Sequence, residues 1–415
     1  MRLTPEDRTV LDSIAADGAR IVQRAVDWCA INSGTRNLRG LEEQRAVLVD
    51  ALSVLPAAPV DVPLRPSIEI GSDGREQEFA HPASIAVVVR PEAPVQVVLT
   101  GHYDTVYPPE SRFQSVLTRT DGALHGPGIA DMKGGISVML TALQAFEGHP
   151  DARNVGYRVL LSPDEEIGSL ASAPVLAEFG ALGHVGMTYE PAMSDGALAG
   201  ERKGSGNFHV RIAGRAAHAG RDFAAGRNAI AAAARLAARL DELNGKREGV
   251  TLNVARIDGG APLNMVPDNA VLRFNARFPN EAACRWLEFS VAEALKAERR
   301  EGITIDLHGG VTRAAKPFNA AQTQLFSAVK QAGGLLGQDI AWKASGGVCE
   351  GNNLFAAGLP NVDTLGVRGG DIHSDKEFAW PQSFAERAQL SALILMKLAG
   401  GEIDGPGLRA AMETA

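Results

Sequence analysis

The stretch VQVVLTGHYD, residues 95–104, sets both the fold and the place of the site. Its first six residues form a short run rich in valine, the mark of a strand buried on both faces. The run stops at Gly101, and His102, Tyr103 and Asp104 follow. The same design returns twice. GYRVLLSPDEE, residues 156–166, runs from an apolar strand into Asp164, Glu165 and Glu166, and VGMTYEP, residues 185–191, ends at Glu190 and Pro191. Three strands thus deliver ligand-type side chains at their carboxyl ends, where open α/β sheets build their sites.

Around them, residues 84–90 read as a further buried strand and 136–146 as a helix behind a glycine-rich turn. Toward the start, Thr4 before Pro5 and acidic residues looks like a capped helix, and residues 41–55 carry a second helical period. After a turn-rich stretch at 192–206 the pattern changes. A strand at 207–212, a helix at 228–243, strands at 251–257 and 270–278, a helix at 281–300 and a strand at 303–307 make a β-α-β-β-α-β unit. Residues 204–313 are therefore expected to form an inserted, ferredoxin-like α+β domain. Residues 1–203 and 314–415 would be the two parts of a larger α/β domain with a central sheet flanked by helices, closing on a helix at 382–398.

Bulk properties narrow the function. A chain of 415 residues with 45% hydrophobic and 22% charged residues has material for two packed domains. Its formal charge of -8 repels phosphate backbones and anionic lipid, which argues against nucleic acid or a membrane surface as partner. Pro5, Glu6 and Asp7 sit where a secretory apolar run would begin, so a cytoplasmic location is expected. The apolar stretch 229–240 is broken by Arg235 and Arg239, which suits a surface helix rather than a membrane span. Cys29, Cys284 and Cys349 are odd in number and far apart, so neither a disulfide frame nor a thiolate metal site is indicated.

A pair of cations needs imidazole and carboxylate ligands, with one carboxylate shared to offset their repulsion. His102 and Asp104, two residues apart at a strand end, fit a ligand and the carboxylate that fixes its tautomer. Asp131 follows glycines that let backbone approach an ion, although in isolation it equally suits a helix N-cap. Glu165 and Glu166, taken as extended chain, would face opposite ways, so that one binds metal and its neighbour serves as a base toward the substrate. A solvated acidic loop is the alternative for that segment. Glu190 and His373 would complete the shell, while a lone histidine more often serves structure.

Together these segments resemble the metallopeptidase family that contains glutamate carboxypeptidase, acetylornithine deacetylase, succinyl-diaminopimelate desuccinylase and the aminoacylases. GHYDTV (101–106), GPGIADMKGG (126–135), SPDEEIGS (162–169), YEP (189–191), GRAAHAG (214–220) and HSDKE (373–377) stand in the family's order across most of the chain. The resemblance implies two zinc ions, for which cobalt or manganese could substitute. His102, Asp131 and Glu190 would surround one, and Asp131, Glu166 and His373 the other, with Asp131 bridging. It further implies that Asp104 orients His102, that Glu165 is the general base, and that the inserted domain is a lid and dimerisation module.

His218 would reach a neighbouring subunit's site and steady the oxyanion. Arg277, Asn264 and the Gly346–Gly347 turn would hold the carboxylate of a small substrate. The implied reaction is cleavage of an amide or peptide bond beside a free carboxylate, by a homodimer. Cys349-Glu350 departs from the family's Ser-Asp or Thr-Asp after the glycine turn, which bears on side-chain specificity. Rival readings are an N-carbamoyl amino acid amidohydrolase, a dinuclear phosphoesterase, and a binding protein that keeps the fold without turnover.

Overall fold

In the computed structural model, which describes residues 1–413, six strands form a mixed sheet. Their spatial order is Val60–Val62, Ser84–Val89, Val155–Ser162, Val95–His102, Val185–Thr188 and Asn361–Val362. The first two pairings are antiparallel and the remaining three parallel. The three strands read first in the sequence are thus immediate neighbours, with His102 in register beside Ser162 and Thr100 beside Thr188.

Alternation along these strands feeds two cores, because successive side chains leave a sheet on opposite faces. Val97, Leu99, Tyr157 and Val159 pack with helices Gly18–Cys29, Lys133–Glu147 and Gln382–Ala399. Ala86, Val98 and Leu160 face Leu176 and Leu354, on helices Ala173–Ala181 and Glu350–Ala356. Gly135 shows why the Lys133–Glu147 helix begins with two glycines. A Cβ there would lie 2.0 Å from the Tyr189 carbonyl oxygen, so only glycine admits the helix this close to the strand end.

The other large sheet is antiparallel, in the order Thr251–Gly259, Asn269–Phe278, Gly204–Ala213 and Thr304–Arg313. Helices Ala229–Asp241 and Glu281–Glu298 cover one face around Val210, Ile212, Leu236, Leu272 and Leu287, and Phe208 stacks on Phe274 with ring centroids 4.8 Å apart. The opposite face looks toward the larger sheet's domain.

Several expectations change in detail. Thr4 caps helix Pro5–Ala16 in a capping box with Asp7, while helix Gly18–Cys29 and the hairpin Ser67–Ile70/Glu76–Phe79 were not anticipated. The strand expected at 303–307 extends to Arg313, because alternation resumes past Gly309 and Gly310. Glu165 and Glu166 lie in a 3-10 turn, Glu165–Ile167, rather than in extended chain. Their side chains diverge because of that turn, not because of strand pleat. Among the described residues, no helix is long and apolar enough to cross a membrane.

Candidate metal centre

The site forms where the parallel strands end. His102 closes the central strand and is fully buried. Its Nδ1 lies 3.0 Å from the Asp104 carbonyl oxygen and 3.3 Å from Asp104 Oδ1, which assigns the proton to Nδ1 and leaves Nε2 to face inward. Nε2 is 3.1 Å from Asp131 Oδ1 and 3.7 Å from Glu190 Oε1. On the other side of Asp131, His373 Nε2 lies 3.3 Å from Asp131 Oδ2 and 3.1 Å from Glu166 Oε2. Two groups of potential ligands result, His102–Asp131–Glu190 and Asp131–Glu166–His373, each with ligand atoms within 4.8 Å of one another and with Asp131 common to both.

Asp131 is not a helix cap. Met132 holds that position for Lys133–Glu147, without a side-chain cap bond, and the Asp131 carboxylate goes to the two imidazoles instead.

Electrostatics describe a cluster short of positive charge. Burial and the nearby Asp131 push the Glu166 carboxyl up to about 8. Burial, Asp131 and Glu165 raise Glu190 well above the usual carboxylate range, and its Oε1 is buried without a hydrogen-bond partner. Hydrogen bonds to Asp131 and Glu166 lift His373 up to about 11. For His102, burial works downward, but Asp104 and Asp131 outweigh it and raise the imidazole well above its ordinary value. Burial opposes ionisation of Asp131, yet its bonds to both imidazoles hold it below the carboxylate range. Three acids at this spacing, one with an unspent buried oxygen, fit a pair of divalent cations. Nitrogen and oxygen donors without thiolate suit zinc, manganese or cobalt.

Thr35, Tyr107 and Glu377, given no role by sequence reading, join Asp104 in fixing the ligands. Asp104 accepts from the backbone N–H groups of Glu165 (3.1 Å) and Glu166 (3.2 Å) and from the Thr35 hydroxyl (2.8 Å), so it ties the His102 strand to the Glu165 turn. Glu377, fully buried, accepts from the N–H groups of Gly128, Ala130 and Asp131 at 3.1, 2.9 and 3.0 Å. Tyr107 Oη shares its one proton between Glu377 Oε2 at 2.7 Å and the Ser374 carbonyl at 2.8 Å. Glu377 and Tyr107 thereby lock the Asp131 loop to the His373 loop. A buried acid four residues after a candidate ligand, within HSDKE, was the available clue; Thr35 offered none.

Glu165 is buried beside Arg313, whose Nη2 is 2.8 Å from Glu165 Oε1. The same nitrogen donates to Ser169 Oγ at 2.7 Å, and Glu165 Oε1 itself lacks an aligned hydrogen bond, so the contact is one of charge and proximity. Asp164 turns away from the cluster and accepts from Ala171 and Ser172 N–H groups. Arg313 and Arg277 flank Ser205 on neighbouring strands. Arg277 Nε donates to Asn275 at 3.0 Å, while its Nη1 is buried with no partner.

The remaining expected residues lie elsewhere. His218 pairs with Met265 in a two-stranded ribbon, and Asn264 sits in the same ribbon, its carbonyl accepting from Ala219. Both are exposed, and their hydrogen bonds stay within the ribbon loops. At the Gly346–Gly347 turn, the Gly347 N–H donates to Ser345 Oγ and its carbonyl accepts from Arg202 Nη1. Arg202 grips Asp363 through two bonds of 2.9 Å, and Lys316 adds a third at 2.7 Å.

Cys349 caps helix Glu350–Ala356 through a Gly351 N–H bond, and burial pushes its thiol well above the ordinary range, which suits packing rather than attack. Glu350 is buried against the Ser162 hydroxyl, and burial pushes its carboxyl up to about 8.

Known proteins resemble the chain in sequence and in fold. Residues 98–397 match the sequence profile of Peptidase family M20/M25/M40. Carboxypeptidase G2 of Pseudomonas sp. strain RS-16 is 28% identical over 319 residues, 74% of each chain. A succinyl-diaminopimelate desuccinylase of Nitrosospira multiformis is 30% identical over 307 residues, 69% of this chain and 79% of the relative. In fold, a tripeptidase from Staphylococcus aureus superposes with a TM-score of 0.70 at 20% identity, covering 92% of this chain and 99% of the other.

Proposed function

Because the chain belongs to peptidase family M20/M25/M40, a family of metal-dependent hydrolases, we propose that it cleaves an amide or peptide bond beside a free carboxylate, using two zinc ions and Glu165 as general base. The observation that carries this reading is the sharing of Asp131 between two ligand groups, with a second, non-ligating glutamate next to Glu166. His102, Asp131 and Glu190 would hold one ion, and Asp131, Glu166 and His373 the other. When bound, the pair supplies the Lewis acidity that makes water nucleophilic near neutral pH.

Glu165 takes the proton from the attacking water and later returns it to the departing amine. The 3-10 turn sets its carboxylate apart from that of Glu166, and Arg313 anchors it in the cleft. Asp104 holds the Nδ1–H tautomer of His102 and, through the backbone of residues 165 and 166, keeps base and ligand in one frame. Arg277 has a buried donor unspent, which supports a role in clamping the substrate carboxylate. Asn264 and the Gly346–Gly347 turn would add polar contacts to the same carboxylate; of that turn's N–H groups, the one at Gly347 is already engaged by Ser345.

His218 would act in a second subunit's site. Its Nδ1 accepts from the Gly220 and Arg221 N–H groups, both at 3.1 Å, so the proton resides on Nε2, which can donate to a tetrahedral oxyanion. Exposed Phe223, Leu263 and Met265 around it support a covering partner copy, with residues 204–313 as lid and dimerisation module. A screen of N-acyl, N-carbamoyl and glutamyl amides with zinc, cobalt and manganese tests the reading. Metal-dependent release of a free amino acid is expected; full activity in the presence of a strong chelator, after metal stripping, would overturn it.

A further inference from the structure

A cavity of about 480 Å³ lies between the open face of the antiparallel sheet and the larger domain. Its walls are apolar at Ile68 and Ile70 from the hairpin Ser67–Ile70/Glu76–Phe79, at Ile167 and Leu170 from the chain just past Glu166, and at Phe208, Ala255 and Phe274 from the sheet. The hairpin wall is fastened on both sides. Arg36 pairs with Glu69, Ser67 Oγ bonds His81 Nε2 at 2.8 Å, and Arg273 Nη2 donates to the Ile70 carbonyl at 2.8 Å. At the rim Glu69 pairs with Arg36, and Asp258 is shared by Arg256 and Arg273. One polar atom is unspent: His209 Nδ1 is buried with no hydrogen-bond partner. Burial, with Arg273 nearby, lowers the affinity of this imidazole for a second proton, so it presents a neutral surface.

Position tells which part of a substrate would enter. Ile167 follows Glu166 in the same 3-10 turn, which puts one end of the cavity beside the metal cluster. At that same end, a Cβ on Gly168 would lie 3.9 Å from Asn207 Nδ2, Asn207 accepts from Asn275 at 2.7 Å, and Asn275 accepts from Arg277 Nε at 3.0 Å. A substrate with its scissile carbonyl at the cluster and its carboxylate on Arg277 would lie across this end of the cavity. The group that branches between these two points is the side chain on the carbon joining amide nitrogen to carboxylate.

We propose that this cavity receives the side chain of the released amino acid and selects a large apolar one, aromatic or branched, over alanine or glutamate. Resting on the amide-hydrolase reading above, the assignment deepens it. An acidic side chain would lose its hydration against these apolar walls, with Arg273 already held by Asp258 and the Ile70 carbonyl. A methyl group would leave the cavity unfilled. An indole N–H or phenol could also reach the His209 lone pair.

The test uses the zinc-loaded full chain. Turnover of N-acetyl derivatives of tryptophan, leucine, alanine and glutamate is measured beside calorimetric binding of the free amino acids. The tryptophan and leucine derivatives are expected to exceed alanine and glutamate at least tenfold in kcat/KM, and the free amino acids to bind in the same order. Ala255→Trp adds bulk to the cavity from an exposed edge strand, and Ile68→Asp places charge in its hairpin wall. Each should erase the preference while leaving the alanine derivative within about threefold, and either one alone suffices if the other misfolds. Hydrolysis with alanine or glutamate equal to tryptophan overturns the assignment and spares the hydrolase reading. Selective binding without hydrolysis of any derivative overturns the hydrolase reading and upholds the cavity's selectivity.

Discussion

The cluster at the sheet edge and the ribbon that carries His218 hold their polar side chains by different means. In the cluster each ligand is tied to chain remote in sequence: Asp104 joins the His102 strand to the Glu165 turn, and Glu377 joins the Asp131 loop to the His373 loop. In the ribbon, the His218 side chain is bonded only to the Gly220 and Arg221 N–H groups, two and three residues ahead, and faces solvent. One region is preorganised within a single chain. The other is only pre-oriented, with its tautomer set by neighbouring backbone.

The largest effect belongs to the preorganised region. Glu165→Ala should cut turnover by ~10²–10⁴ while metal content, read by mass spectrometry, stays unchanged. Loss of metal along with activity would make Glu165 a ligand and blur the distinction between it and Glu166.

Next comes the ribbon, where His218→Ala should lower kcat by ~10²–10³ with metal content intact. The sharper form mixes the two inactive variants. Random re-association should restore about a quarter of wild-type activity, since half the dimers are hybrids with one intact site. No recovery after verified exchange would place His218 in its own chain's site or outside catalysis.

A smaller effect tests how the cluster is held. Glu377→Gln keeps size but weakens three backbone hydrogen bonds to the Asp131 loop, and metal affinity should fall ~10–100-fold. The same substitution should leave the His218 ribbon's contribution untouched, visible as an unchanged ratio between His218→Ala and parent activities at saturating zinc.

The pH dependence of loading is the mildest probe. In the metal-free cluster Glu166 stands at about 8 and His373 at about 11, so both carry protons at pH 7 that a cation must displace. Raising pH removes that competition, and zinc affinity should rise about tenfold per unit for each proton released, up to about pH 8 where Glu166 ceases to contribute. Calorimetry in buffers of different ionisation enthalpy counts the protons. Pure pH independence would contradict the charge balance described for the cluster.

The sheet and its ligand-bearing ends were legible because burial on both faces leaves short apolar runs, which break abruptly at His102, Asp164 and Glu190. The motif order across the chain then supplied Asp131, Glu166 and His373. What escaped reading depends on contacts remote in sequence. Thr35 meets Asp104 from 69 residues away, and Tyr107 meets Glu377 from 270. Arg313 was missed because its strand was ended at 307, before the glycines beyond which the alternation resumes. The hairpin at 67–79 escaped because its exposed second strand, Glu-Gln-Glu-Phe, lacks an apolar period. Glu165 and Glu166 were given diverging roles on an extended backbone, whereas a 3-10 turn separates them.

The central claim is that Asp131 serves two ions at once. It is tested most directly by counting zinc per chain in the parent and in Asp131→Ala after equilibration with a zinc buffer, with folding checked by circular dichroism. The expected result is two ions in the parent and less than one in the folded variant. A parent holding a single ion, or a variant that retains both, would contradict it.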